Sequence, residues 1–190
     1  MRLGLFGGSF DPVHCGHVGL AATARAALAL DEILFIPAFH SPHKPNSPIA
    51  SIEHRVAMLQ LAIAGHASFA LSRIEADAGH AAFTIDTVRA LRRTYGPTVA
   101  WVLLLGWDAW IDFPRWREAE ALRQLVDIAV APRPGLESAA LDGAQLIPAP
   151  AVAISSSAIR ARLAHGEAVD GLVPDDVAAY ITRHGLYRDA

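Results

Sequence analysis

The sequence predicts an α/β protein, a doubly wound parallel sheet finished by a small helical C-terminal part, and three observations support that class. Apolar runs of strand length alternate with segments of helical periodicity through most of the chain. The most continuously apolar run, Val99 to Leu105, does not alternate with polar residues, as suits a central parallel strand covered on both faces. Near the N-terminus a short apolar strand meets Gly7 and Gly8 and passes into a helix, the opening of a nucleotide-binding unit. The expected architecture is therefore Rossmann-like, with ligands bound beyond the carboxyl ends of the strands.

The elements follow in order. Arg2 to Phe6 is the first strand, stopped by the two glycines, and its helix runs from about Gly16 through Leu28, rich in alanine and leucine. Glu32 to Pro37 is the second strand. The Pro-, His- and Ser-rich stretch Ala38 to Ala50 shows no regular pattern, and a connection of that length points to function or mobility. Ser51 to Ala64 reads as a helix with Ser51 as N-cap, Ser68 to Ile74 as a strand, and Thr84 to Tyr95 as a helix ended by Gly96 and Pro97. After the central strand come a strand at Val126 to Ala131, a loop at Pro132 to Ala144 and a short last strand at Ala151 to Ile154. Two helices finish the chain, Ser156 to His165 before Gly166 and Pro174 to His184 before Gly185.

Bulk properties fit a compact enzyme. A length of 190 residues suits one domain, and 53 % hydrophobic content is ample for a sheet buried on both faces. A formal charge of -3 leaves no basic surplus for nucleic acid or anionic membranes, so phosphate recognition should be local and the ligand small. No apolar stretch approaches the length of a membrane span, and Gly7, Gly8 and Asp11 interrupt any signal-peptide core, which leads to the expectation of a cytoplasmic protein. Cys15 is the single cysteine; it excludes an internal disulfide and fits a reducing compartment. Its thiol reads first as a packing residue and second as a reactive group beside two histidines.

The segment Gly7 to His17 carries the most chemistry. Glycines let the backbone approach a ligand closely, and the free N–H groups of a helix start favour an anion. His14 and His17, spaced i, i+3, can share one helical face and donate to the same phosphate oxygens. Two surface histidines, or two zinc ligands, are the alternatives; no neighbouring Cys, His or Glu cluster would complete a structural zinc site. Ile154, Ser155 and Ser156, followed by Arg160 one turn later, offer amides, hydroxyls and a guanidinium as a second phosphate clamp, or else a capping serine with a surface arginine. Asp108 after Gly106 is a ligand group or a helix N-cap. Gly7 to His17, Pro42 to Lys44, Gly106 to Asp108, Arg133 and Ser155 to Arg160 all fall at expected strand ends, which argues for one shared pocket.

The sequence GGSFDPVHCGH is similar to the signature of the nucleotidyltransferase superfamily whose H-x-G-H element binds the triphosphate of ATP or CTP. Later segments resemble the bacterial nicotinate-nucleotide adenylyltransferases, in the family's order along nearly the whole chain. They are Pro42-His43-Lys44, Phe83-Thr84-Ile85-Asp86-Thr87, Gly106-Trp107-Asp108, Phe113-Pro114-Arg115-Trp116, Arg133-Pro134-Gly135 and Ile154-Ser155-Ser156-Ser157-Ala158-Ile159-Arg160.

The resemblance implies that Gly7, Gly8, Ser9, Phe10, His14, His17, Gly106, Asp108, Ile154, Ser155, Ser156 and Arg160 bind ATP, with Gly106 against adenosine and Asp108 on a ribose hydroxyl. His14, His17 and Arg160 would be the catalytic set. Lys44, Thr84, Ile85, Trp116 and Arg133 would bind nicotinate mononucleotide, Trp116 stacking on the pyridine ring and Thr84 with the Ile85 backbone reading the ring carboxylate or the mononucleotide. Trp101 reads as core, whereas Trp107 and Trp110 compete with Trp116 for the stacking role, and Phe83 stands where the family commonly has tyrosine. The implied reaction is in-line attack of the mononucleotide phosphate on the α-phosphorus of ATP, with Mg²⁺ arriving on the triphosphate and no metal ligands from the protein. Another acceptor on the same fold, nicotinamide mononucleotide or phosphopantetheine, and a non-catalytic nucleotide-binding regulator are the rivals. Sequence leaves the oligomeric state open.

Overall fold

The structure, a computed structural model, describes residues 1–39, 49–132, 141–149 and 154–188. Six parallel strands form one sheet among them: β1 (Arg2–Gly8), β2 (Glu32–Pro37), β3 (Phe69–Leu71), β4 (Ala100–Leu105), β5 (Asp127–Val130) and β6 (Gln145–Leu146), in the order β3-β2-β1-β4-β5-β6. β1 is central, with Leu3 beside Glu32 of β2 and beside Trp101 of β4. The chain winds outward from β1 in one direction and from β4 in the other, so the order reverses between them. That reversal opens a crevice at their carboxyl ends.

The helices are α1 (Cys15–Ala27), α2 (Ile52–Ile63), α3 (Ile74–Ala78), α4 (Thr84–Tyr95), α5 (Trp107–Asp112), α6 (Ala119–Leu125), α7 (Ser156–Ala164) and α8 (Asp175–His184), with one 3-10 turn at Phe113–Arg115. Side chains alternate across the sheet, and each face has its own core. Phe6, Ile33, Phe35, Val102 and Leu104 pack with residues of α1, α2, α7 and α8 on one face. Leu3, Leu5, Leu34, Ile36, Trp101, Leu103 and Leu105 pack with α4 and α6 on the other. Ser51 caps α2 as expected, its hydroxyl accepting from the His54 N–H at 3.4 Å, and α8 ends at Gly185 with φ 61°.

Four local features depart from the sequence reading. β1 does not stop before the glycines: Gly7 and Gly8 stay in the strand opposite Ile36 and Pro37. β3 is short because the chain bends into α3, where the Arg73 guanidinium grips Asp77 at 2.9 Å and both carboxylate oxygens of Glu53 at 3.0 and 3.2 Å. The interval between β4 and β5 is filled by α5, the 3-10 turn and α6. The last described strand is Gln145–Leu146, prolonged by an Ile147 N–H bond to the Val130 carbonyl at 2.9 Å. Of the strand expected at Ala151 to Ile154, residues 151–153 lie outside the described residues, and Ile154 is not in a strand.

Candidate active site

The turn after β1 sets the site's geometry. Its left-handed residue is Phe10, with φ 48°, so the reversal belongs to Ser9 through Val13 and not to the glycines. Gly7 and Gly8 serve by lacking a side chain. A Cβ on Gly8 would come within 3.2 Å of the Phe10 ring, whereas one on Gly7 would meet nothing within 4 Å and would stand at the wall of a cavity. The Phe10 ring is buried, so this residue can offer a ligand only its backbone.

His14 is the N-cap of α1 and His17 lies in its first turn. Their rings stack, with centroids 3.6 Å apart and planes 26° apart, as the i, i+3 spacing predicts. The His17 Nδ1 accepts from the His14 backbone N–H at 3.2 Å, which places the proton of the neutral ring on Nε2. Phe6 and Phe10 flank the His17 ring at centroid distances of 6.0 and 5.0 Å and hold its orientation. Burial lowers the His14 pKa to about 4, and burial followed by the neighbouring His14 lowers that of His17 well below its ordinary value. At neutral pH the pair is therefore uncharged and presents N–H donors, fit for phosphate oxygens. Burial also raises the Cys15 thiol, so the residue between them is not poised as a thiolate.

The start of α7 packs directly on this turn. The Ser156 hydroxyl donates to the Pro12 carbonyl at 2.9 Å, and Arg160 donates to the Asp11 carbonyl at 2.7 Å, with its guanidinium 3.8 Å from the Asp11 carboxylate. Ser155 caps the helix, accepting from the Ala158 N–H at 3.2 Å. The two expected phosphate clamps are thus brought together, and Ser156 and Arg160 also hold the turn in place.

A buried network beneath the turn was missed from sequence. The Asp11 carboxylate, 1 % exposed, accepts from the Ile49 and Ala50 N–H groups at 2.7 and 3.1 Å and from the Tyr187 hydroxyl at 2.7 Å. Arg55, fully buried on α2, donates to four carbonyls: Ser9 and Ala38 at 2.7 Å, Phe39 at 3.0 Å and Ala50 at 3.2 Å. An arginine amid the buried stripe of Val56, Met58, Leu59 and Ala62 is the signal that could have exposed it, since a charge there needs partners.

On the other face of the sheet a cavity of about 400 Å³ opens between the carboxyl ends of β1 and β4, the start of α4 and α5. Gly7, Gly8, Ser9, Thr84, Gly106, Asp108 and Trp116 all line it. Gly7 to Ser9 therefore leads along the chain from this cavity to the turn that carries the histidines. Trp116 is the tryptophan on its wall; it and Trp110 both pack against Phe113, at 5.5 and 5.7 Å, Trp110 beneath Arg123, and Trp101 is core. The Ile85 side chain is buried in the core, which leaves its backbone as the part able to meet a ligand. Glu75 also lines the cavity; burial raises its carboxyl pKa, and the Thr87 hydroxyl donates to it at 2.8 Å. Lys44 and Arg133 lie outside the described residues.

A parallel sheet with a reversal at β1 and β4, neutral imidazoles at a helix start and an aromatic-walled cavity beside them defines an α/β nucleotide-binding protein of the nucleotidyltransferase type. Residues 5–162 match the model of the cytidylyltransferase-like family. The chain is 46 % identical over 198 residues to a probable nicotinate-nucleotide adenylyltransferase of Bordetella pertussis, covering 98 % of each protein. It is 43 % identical over 190 residues to one of Thermus thermophilus, covering 99 % of this chain and all of the other. The chain belongs to the cytidylyltransferase-like family and, within it, to the nicotinate-nucleotide adenylyltransferases. Its fold is also that of the Plasmodium falciparum nicotinic acid mononucleotide adenylyltransferase solved in complex with NaAD, with a TM-score of 0.83 and 20 % identity over 100 % of this chain and 98 % of that one.

Proposed function

We propose that this protein joins ATP and nicotinate mononucleotide into nicotinate adenine dinucleotide and pyrophosphate, in NAD biosynthesis. The observation that supports it best is that one segment, Gly7 to Ser9, lines the cavity walled by Trp116 and Thr84 and leads directly into the turn bearing the stacked His14–His17 pair. The histidine pair suits a triphosphate, and the cavity, lined by Gly106 and Asp108 as well as Thr84 and Trp116, suits an adenosine and a flat ring carrying a sugar phosphate.

In this reading an oxygen of the mononucleotide 5′-phosphate forms a bond to the α-phosphorus of ATP while the α,β-bridging bond breaks, and the electron pair leaves on pyrophosphate. The nucleophile is already an anion, so the protein needs no general base and forms no covalent intermediate. Its work is alignment and stabilisation of leaving-group charge. His14 and His17 donate N–H groups to the triphosphate, and Arg160 adds a fixed positive charge, with the amides around Ile154 to Ser156 beside it. Phe10 and Ser9 contribute backbone, Gly106 lets adenosine approach, and Asp108 takes a ribose hydroxyl. Trp116 stacks on the ring, Thr84 and the Ile85 amide meet the acceptor's polar edge, and Lys44 and Arg133 pair with its phosphate.

The nucleotide enters as MgATP. In this reading the cation is held by phosphate oxygens and water. No helix among the described residues is long and apolar enough to cross a membrane, and we place the protein in the cytoplasm as a single domain.

The test is pyrophosphate release from MgATP with nicotinate mononucleotide, nicotinamide mononucleotide and phosphopantetheine offered separately. Preference for nicotinate mononucleotide is expected. Turnover with a different acceptor would discard the assignment of Trp116 and Thr84, and turnover with none would leave a nucleotide-binding regulator.

A further inference from the structure

We propose that the Arg89–Glu118 ion pair, outside the cavity, is a strut that fixes the spacing of two cavity walls and makes both residues positioning residues for the acceptor, an inference that rests on the adenylyl-transfer reading above. Backbone strain, bond geometry and the placement of the walls lead there.

Glu118 carries the strain. Its φ of 52° and ψ of 42° place it in the left-handed region, where the Cβ of a non-glycine residue crowds a carbonyl oxygen. A residue keeps that conformation only where its surroundings hold it. Glu118 stands at a reversal of the chain. Trp116 closes the 3-10 turn, its N–H donating to the Phe113 carbonyl at 2.9 Å, and two residues later Glu118 is the N-cap of α6, its carbonyl accepting from the Leu122 N–H at 2.9 Å. The backbone of Glu118 therefore sets the direction in which the Trp116 segment joins α6.

The hold comes from α4. Both arms of the Arg89 guanidinium donate to the Glu118 carboxylate, at 2.6 and 3.1 Å, a planar fork that restrains its two backbones better than a single contact does. The bond to Glu118 raises the Arg89 pKa and the bond to Arg89 lowers that of Glu118, so both stay charged at neutral pH. Among the described residues the other cation beside Glu118 is Arg117, at 3.9 Å, beyond hydrogen-bonding distance and itself 3.8 Å from Asp86.

The strut joins the two walls. α4 gives Thr84, Thr87 and Val88 to the cavity, and the segment before α6 gives Trp116. Arg89 follows Val88 directly, and Glu118 lies two residues after Trp116. Core packing of Val88 with Ala119 and Leu122 sets the helices against each other, whereas the ion pair sets the turn before α6. An acceptor ring stacked on Trp116 with its polar edge at α4 touches both walls, and opening such a contact by about 0.5–1 Å forfeits a quarter to a half of its dispersion energy. The histidine pair lies on neither wall, so the triphosphate does not depend on the strut.

The experiment is steady-state pyrophosphate release from MgATP and nicotinate mononucleotide for the parent, Arg89→Ala, Arg89→Lys, Glu118→Asn and the exchanged pair, Arg89→Glu with Glu118→Arg, with thermal unfolding as the control of folding. Glu118→Asn removes the carboxylate with a residue that tolerates the left-handed backbone. Arg89→Ala and Glu118→Asn should each raise the KM for the mononucleotide roughly two- to fivefold, the worth of an exposed ion pair expressed as the fraction of molecules with aligned walls, and leave kcat and the KM for ATP at the parent level. Arg89→Lys keeps the charge without the fork and should fall between. The exchanged pair should recover the parent KM, which two merely structural side chains would not do. At about 1 M salt the gap between Arg89→Ala and the parent should close, because exposed charges are then screened. A parent-level KM for the mononucleotide in Arg89→Ala, equal rises for both substrates, or no recovery in the exchanged pair overturns the inference and leaves the adenylyl-transfer reading standing. Absence of turnover with nicotinate mononucleotide in the parent overturns both.

Discussion

Removing one oxygen, by Tyr187→Phe, tests how firmly the C-terminal segment holds the turn that carries the histidines. The Tyr187 hydroxyl donates to the Asp11 carboxylate at 2.7 Å, and both residues are buried, at 5 % and 1 % exposure. Burial and then the Asp11 charge hold the phenol pKa far above its ordinary value, so the hydroxyl remains a donor throughout the working range. Without it Asp11 keeps two backbone N–H donors and Arg160 at 3.8 Å. Losing a buried bond to a charged acceptor costs about 1.5–3 kcal/mol. At about 2–4 °C per kcal/mol for a domain of this size, Tm should fall by roughly 3–12 °C. The same substitution loosens the Asp11 and Pro12 carbonyls that hold Arg160 and Ser156, so the KM for ATP should rise while the KM for the acceptor, whose cavity is on the other face, stays at the parent value. Thermal unfolding by circular dichroism and acceptor-saturated kinetics read both. A Tm and an ATP KM equal to the parent's would refute the coupling; equal rises in both KM values would refute its restriction to the ATP side.

Two further outcomes follow from the histidine pair. His17→Asn should slow turnover about a hundredfold or more, the effect of removing a donor that acts on transition-state charge, and a parent-like kcat would refute that role. The second concerns pH. With the His14 pKa lowered from 6.5 to about 4, the unfolded chain binds the extra proton between those values, so stability is full above about pH 6.5 and falls as pH drops toward 4. His17 acts in the same direction. For His14 alone the loss approaches about 3 kcal/mol at the lower end. Urea unfolding at pH 7 and pH 4.5 measures it, and His14→Gln should narrow the difference; an equal difference in the variant would assign it to other groups.

The ends of elements that depend on neighbours within one turn were readable in the residues. β2 and α4 fall where their patterns placed them, because a β-branched apolar run and a glycine stop need no distant partner. The histidine stack follows from i, i+3 geometry in the same way. The bend at Arg73 and the two-residue β6 were not readable. One depends on Glu53 from another helix, and the other is too short for periodicity to register and exists through pairing with β5. Which tryptophan lines the cavity was equally hidden, since four tryptophans look alike in sequence and both Trp110 and Trp116 pack on Phe113 while only Trp116 of the two reaches the lining. Asp11 and Tyr187 are the extreme case, 176 positions apart and joined by one bond. Local patterns set most of the strands and helices of this chain and the residues proposed to meet phosphate. Folding sets which of them meet, because buried charges and edge strands are satisfied by partners remote in sequence that no local spacing encodes.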